Sequence, residues 1–358
     1  MPPAMPPKER VKTALACAEP DRVPVNYSCN AGIDGRLKQH FGLDAGDEEG
    51  LLRALGVDFR RASAPYVGPE LHENLPDRQI SIWGIRKRWI EHDSGGYWDY
   101  CDFPLNGADA ETIANWPTPS PDDFDYDTVR SACRRHEGYA ITVGGPGLGD
   151  VINSTGMIRT MEQTLVDLIL RDEAVLGYID RRIDVLAEVT RREIEAGAGA
   201  IDLVWIGEDL GTQQGPMIGL DLYRELIRPR HQRIVDVAKS FDLPVMIHSC
   251  GSSSWAFEDF IEMGIDAVDT LQPEAADMAP AYLKERFGGR LAFHGCISTA
   301  GPVAYGTPKE VVANVRETLE VMKPGGGYCL APTHQLQDNS PTGNVVAMYE
   351  AAREYGAY

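Results

Sequence analysis

Pro244-Val-Met-Ile-His-Ser-Cys-Gly251 reads as a buried strand that runs straight into two metal-ligating side chains. Val245, Met246 and Ile247 supply the apolar run. His248 and Cys250 stand two residues apart, so in an extended chain both side chains leave on the same side. An imidazole beside a thiolate suits Zn²⁺, a borderline-soft ion, and Gly251 lets the chain turn away sharply. The plainer alternative is a core histidine next to a small buried cysteine. A second polar cluster on another apolar strand, Cys329 to His334, weights the metal reading.

The same unit recurs on both sides of this stretch. Strands are predicted at Val23–Tyr27, Val57–Arg60, Tyr139–Val143, Ala200–Trp205, Pro244–His248, Ala267–Leu271, Leu291–Phe293 and Tyr328–Ala331. Short helices are predicted at Lys8–Ala18, Gly35–Phe41 and Glu48–Leu55. Further helices are predicted at Thr160–Leu170, Asp172–Ala196, Asp221–Ser240, Trp255–Met263, Leu283–Phe287, Pro308–Met322 and Asn344–Tyr355. Roughly eight strands alternating with helices imply a parallel sheet. Polar residues recur just past the strands, at Glu208-Asp209, His248 and Cys250, Gln272 and Glu274, His294 and Cys296, and Thr333-His334. In a (β/α)₈ barrel those ends gather at one mouth, where barrel active sites lie. The expected fold is therefore α/β, a (β/α)₈ TIM barrel, with residues 1–358 as one domain. A doubly wound open sheet competes, but Gly144-Gly-Pro-Gly147 lacks the G-x-G-x-x-G spacing. Residues 65–120 break the rhythm. Ser81–Ile90 followed by Gly95-Gly-Tyr-Trp98 reads as a β-hairpin, so residues 65–120 are expected to be an insertion over the C-terminal face.

Composition narrows the partners. The chain of 358 residues carries a net charge of −20, which argues against nucleic acid and anionic membranes, because phosphate contacts need clustered Lys and Arg. No apolar run reaches the ~18 residues of a membrane span, and the first residues show no apolar signal-peptide core. The seven cysteines, odd in number and irregular in spacing, fit free thiols in a reducing cytoplasm better than a disulfide framework.

With these residues in view the chain resembles the uroporphyrinogen decarboxylase superfamily, which also contains zinc-dependent methyltransferases that work with corrinoid proteins. The resemblance is carried by Lys8-Glu-Arg-Val, Pro20-Asp-Arg-Val-Pro24, Gly207-Glu-Asp-Leu-Gly-Thr-Gln213 and Ile227-Arg-Pro-Arg230. It is strongest from His248 onward, through Gly325-Gly-Gly-Tyr-Cys-Leu-Ala-Pro-Thr-His334 and Pro341-Thr-Gly-Asn344. It implies the barrel. Two departures sort the branches. The true decarboxylases have an N-terminal Arg-Gln-Ala-Gly-Arg-Tyr motif whose arginines pair with substrate carboxylates. Here Asn26–Arg36 holds one arginine and no such motif, so porphyrinogen decarboxylation is not expected. The methyltransferase branch has the His-x-Cys pair and completes its zinc with a late cysteine. Counting back ten residues from Asn344, that position falls on His334.

The ligand set expected from the resemblance is thus His248, Cys250 and His334, with Cys329 and Cys296 as alternatives for the third place. One thiolate and two imidazoles leave a bound Zn²⁺ with net positive charge, which tilts the site toward activating an oxygen, such as that of a methoxy compound. Glu208 and Asp209 are the candidate acid–base or fourth-ligand residues, their alternative being a helix cap or loop carboxylate. Gln213, Gln335 and Trp205 are candidate substrate contacts. Trp83, Trp89 and Trp98 are candidate pocket walls or plain hairpin packing. No Asp-x-His-x-x-Gly corrinoid motif occurs, so a corrinoid (cobalamin) would arrive on a partner protein. The expected activity is zinc-dependent methyl transfer between a small oxygen or sulfur substrate and that corrinoid protein. A non-porphyrin decarboxylase or lyase, and a ligand-binding barrel without catalysis, are the rivals. Assembly as a homodimer is left open.

Overall fold

The computed structural model describes residues 4–92 and 95–358. Its main sheet is built from β1 (Phe59–Arg61), β5 (Ala140–Gly144), β6 (Leu203–Gly207), β7 (Val245–Ser249), β8 (Ala267–Thr270), β9 (Ala292–Ser298) and β10 (Tyr328–Thr333). These seven strands are parallel and lie side by side in chain order. Apart from β1, Phe-Arg-Arg with Arg61 exposed, they are short, largely apolar and buried on both faces, as parallel strands covered by helices must be. The α/β barrel-type fold read from the alternation is present, with one correction. The regular ladder is a curled half-barrel, because its edge strands β1 and β10 do not pair with each other.

The segment predicted as the first strand lies in that gap. Leu330 donates its N–H to Pro24 O and accepts from Asn26 N–H, and Asp58 N–H donates to Val25 O, each at 2.9 Å. Pro24 has no N–H to give, so a regular ladder cannot propagate through it. Closure at the eighth position therefore rests on these few bonds.

The helices predicted between strands are present with ends shifted by a few residues, among them Glu173–Gly197, which Asp172 caps through Val175 N–H, and Pro308–Met322, which opens with a Thr307/Glu310 capping box. The helices that the periodicity does not predict include Tyr126–Arg135 and Ile152–Arg159. The second, Ile-Asn-Ser-Thr-Gly-Met-Ile-Arg, has little intrinsic helix preference. Its start is held from outside, since Glu208 accepts the N–H groups of both Val151 and Ile152.

Within residues 65–120 a separate antiparallel sheet forms from β2 (Gln79–Ile80), β3 (Arg86–His92) and β4 (Gly95–Cys101), with Trp89 opposite Trp98. Its base is tied to the barrel helices by Leu105 N–H on Ile158 O at 3.0 Å and Arg159 Nη1 on Leu105 O at 2.7 Å. At its other end, a Cβ on Gly95 would lie 2.9 Å from Asp338 Oδ2, beside the loop that follows β10. The arm thus reaches from the helices after β5 to that loop. No helix among the described residues is long and apolar enough to cross a membrane.

Candidate metal centre

The register of three neighbouring strands creates the site. His248 of β7 pairs with Asp269 of β8, and Asp269 pairs with His294 of β9. In-register residues of parallel strands project to the same face, so the three side chains form one row. Asp269 is the hub. One of its oxygens lies 2.5 Å from His248 Nδ1 and the other 2.6 Å from His294 Nδ1. The far nitrogen of His294 meets Asn26 Nδ2 at 3.0 Å. An amide nitrogen only donates, so His294 Nε2 accepts and its Nδ1 carries the proton given to Asp269. Burial alone would raise the Asp269 pKa, but the two imidazoles hold it far below the usual carboxylate range.

With Nδ1 of His248 committed to Asp269, its Nε2 points at Cys250. Nε2 and Sγ lie 3.3 Å apart. His334 completes a group whose three ligand atoms all fall within 4.8 Å of one another. Two donors bonded to one tetrahedral Zn²⁺ at about 2.0 and 2.3 Å stand about 3.5 Å apart, so the His248–Cys250 spacing and the nitrogen–sulfur chemistry both fit that ion. Burial disfavours charge on His248, but Asp269 and Cys250 outweigh it and lift its pKa well above the ordinary imidazole value. A proton shared between Nε2 and Sγ is what a metal would displace. His334 reaches solvent, yet desolvation by the crowded mouth, together with the His248 charge, lowers its pKa. Gly251 turns the chain away from the site at φ +67, where a Cβ would lie 2.4 Å from Gly211 O.

The other candidates separate clearly. Asp209 touches the centre. Its Oδ1 accepts the Cys250 N–H at 2.9 Å and stands 3.7 Å from His248 Nε2, while Oδ2 accepts from Asn153 at 2.8 Å. Glu208 lies behind it, fully buried, holding the Val151 and Ile152 N–H groups at 2.7 and 3.0 Å and standing 3.3 Å from His231. Burial pushes its pKa up to about 8. Cys296 and Cys329 are buried in the core and do not join the donor group. The thiol of Cys329 is desolvated and has Asp58 and the Cys17 thiol as its titratable neighbours, not His248. Trp205 stands edge-on to His294 at 5.7 Å. Gln335 donates to Asn30 Oδ1 at 2.6 Å. Gln213 instead exchanges amide bonds with Gln272 at 3.1 and 3.0 Å and does not line the cavity.

That cavity, about 240 Å³, is walled by Trp205, Pro146, Ala331 and Pro332 and by the polar Asn26, Tyr27, Ser28 and Gln335, with His248, Asp269, His294 and His334 as its reactive side. None of the three insertion tryptophans lines it. Asp269 and Asn26 are the residues that the sequence reading passed over. The signal for Asp269 was a carboxylate inside an otherwise apolar strand, Ala267–Thr270. Asp269→Asn is expected to weaken metal binding about 10–100-fold, the usual range for a partner that orients a ligand. Competitive chelator titration checks it, and unchanged affinity would show that Asp269 does not orient His248.

Comparisons with known proteins bear on the family and the fold. Residues 107–355 match the family model for uroporphyrinogen decarboxylase. A methylcobamide:CoM methyltransferase MtbA from Methanosarcina acetivorans is 23% identical over 192 residues, 53% of this chain and 52% of that protein. A uroporphyrinogen decarboxylase from Sodalis glossinidius is 24% identical over 258 residues, 68% of this chain and 69% of that one. The chain thus spans about half the length of the methyltransferase it matches. A methyltransferase from Methanosarcina mazei shares the fold, with a TM-score of 0.68 at 17% identity over 98% of this chain and 99% of that one.

Proposed function

Because the chain belongs to the uroporphyrinogen decarboxylase family, near its methyltransferase branch, we propose that it is a zinc-dependent methyltransferase. In this reading it moves a methyl group between a small oxygen or sulfur substrate, a methoxy compound foremost, and a corrinoid carried by a separate protein. The observation that carries the proposal is the group of His248, Cys250 and His334 donors at the wall of a small cavity. Bound there, zinc would supply a Lewis acid for a substrate heteroatom.

The chain's own residues have distinct tasks. Asp269 keeps the His248 proton on Nδ1, so Nε2 presents a lone pair to the site. Asp209 fixes the Cys250 backbone. Trp205, Pro146, Ala331 and Pro332 exclude water, while Asn26, Ser28 and Gln335 offer hydrogen bonds that orient a substrate. The volume of about 240 Å³ falls below the ~300–1,000 Å³ usual for drug-sized ligands and suits a small molecule, not a tetrapyrrole. One barrel over residues 1–358, with 65–120 as its insertion, belongs to the same reading. Limited proteolysis should leave one resistant core, and two folded halves would contradict it.

A non-porphyrin decarboxylase or lyase is the second reading. The Sodalis decarboxylase supports it by matching the longer stretch, and Asp209 beside His248 would be its acid–base group. Metal analysis separates the two. Protein purified without chelators is expected to hold about one zinc per chain, to demethylate a small methoxy or methylthio compound in the presence of cob(I)alamin, and to leave uroporphyrinogen unchanged. Metal-free wild-type protein that releases CO₂ from a small acid would replace the first reading with the second.

A further inference from the structure

We propose that Arg61 anchors an anion-binding subsite at the rim of the barrel mouth, one that takes a small carboxylate. The subsite rests on its own geometry and not on the methyltransferase reading.

Strand β1 ends in two consecutive arginines with opposite fates. Arg60 is buried and spent. It bonds Glu49 at 2.7 and 2.9 Å and the carbonyls of Val57 and Phe59 at 3.0 and 2.7 Å, and it lies 3.7 Å over the Tyr139 ring. The Arg61 side chain makes no hydrogen bond or ion pair with the described residues, and the residue is exposed. Side chains alternate along a strand, and Phe59 packs edge-on against His294 at 5.6 Å. Arg61 therefore leaves β1 on the same side as Phe59, one step nearer the C-terminal mouth.

A surface pocket of about 320 Å³, open to solvent, receives it and is lined by Arg61, Ser63, Gly145, Pro146, Thr190 and Glu193 among others. Pro146 also lines the cavity of the metal centre, so the two chambers share a wall. Gly145 lets the guanidinium lie close to the loop, since a Cβ there would stand 3.2 Å from Arg61 Nη2. The Gly144–Gly147 run, which has no dinucleotide spacing, thereby gains a role. Glu193 is the nearest rival for the charge of Arg61. It is buried, already accepts the Ala64 N–H at 2.7 Å, and has its pKa pushed up to about 7 by that burial, so it cancels Arg61 only in part.

Arg36, the arginine of the segment where true decarboxylases hold substrate carboxylates, is spent on the carbonyls of Asp338 and Ser340 at 2.7 and 3.2 Å, so it is not free to serve in place of Arg61. A guanidinium takes a carboxylate through two parallel N–H bonds, which also fixes orientation.

Isothermal titration calorimetry on the full chain tests this with methoxyacetate and 3-methoxybenzoate, each against its neutral amide. At least one acid is expected to bind about tenfold or more tightly than its amide, the scale of a charged hydrogen bond. Arg61→Gln should bring that preference close to unity, and Arg61→Lys should restore part of it. Zinc content and thermal midpoint should stay at wild-type values in both variants. No acid preference in the wild type, or a preference that survives Arg61→Gln, overturns the subsite. So does a lowered thermal midpoint with unchanged preference, which would make Arg61 a structural partner of Glu193. An Arg61-dependent preference in protein that holds no zinc would keep the subsite and discard the methyltransferase reading.

Discussion

Cys250→Ser is expected to give a folded barrel that holds almost no zinc. The substitution is nearly isosteric, and it leaves in place the backbone N–H that Asp209 accepts at 2.9 Å. What changes is the donor. A thiolate is a soft anion that becomes accessible near neutral pH beside a cation, whereas a serine hydroxyl stays protonated and binds zinc weakly. Because loss of a mere orienting partner costs about 10–100-fold in affinity, loss of a ligand should cost more, and purified protein should fall from about one zinc per chain to a trace. The fold should survive because Cys250 is only half-buried and stands just past β7, whose own residues Val245, Met246 and Ile247 fill the core. Metal analysis by mass spectrometry, paired with a thermal melt, checks both halves. A variant that keeps stoichiometric zinc would remove Cys250 from the ligand set, and one that fails to fold would make the ion structural.

The fold was legible where one strand's residues suffice to define it. Apolar runs of four to six residues bounded by glycine, proline and polar residues place β7, β8 and β10 within a residue or two of their positions. His248 and Cys250 were legible for the same reason, since parity within one strand needs no knowledge of its neighbours. What stayed hidden depends on register between strands. Asp269 matters because it sits level with His248 on one side and His294 on the other, and nothing local to Ala267–Thr270 says which residues those are. Asn26 is reached through a segment whose strand-like bonds run to Leu330, Asp58 and Gly356, far away in sequence. Gln213 erred in the opposite direction, because its loop carries it to Gln272 instead of the cavity. Glu208 shows a further limit. It ends a strand as a catalytic carboxylate would, but both its oxygens hold the start of the helix Ile152–Arg159, whose own sequence gives little sign of being helical.

His334→Ala should strip the metal and Cys329→Ala should not. Three observations combine here. His334 follows β10 directly, where the chain reaches the mouth, and its ring centre lies 5.0 Å from that of His248. Its ligand nitrogen falls with His248 Nε2 and Cys250 Sγ inside the 4.8 Å group. Cys329, five residues earlier, is level with His294 in the ladder but stays out of that group, and burial holds its pKa far above the ordinary thiol value. A thiol kept protonated by an apolar surround is a poor ligand. The expected result of a competitive chelator titration is therefore asymmetric. His334→Ala loses more than the ~100-fold upper range of an orienting residue, while Cys329→Ala keeps wild-type zinc affinity and loses stability instead, since removing a buried sulfur leaves a small void. The reverse pattern would place a second thiolate on the ion. The bound metal would then be neutral overall, its electrophilic pull on an oxygen would weaken, and a thiol would become the better substrate for the same barrel.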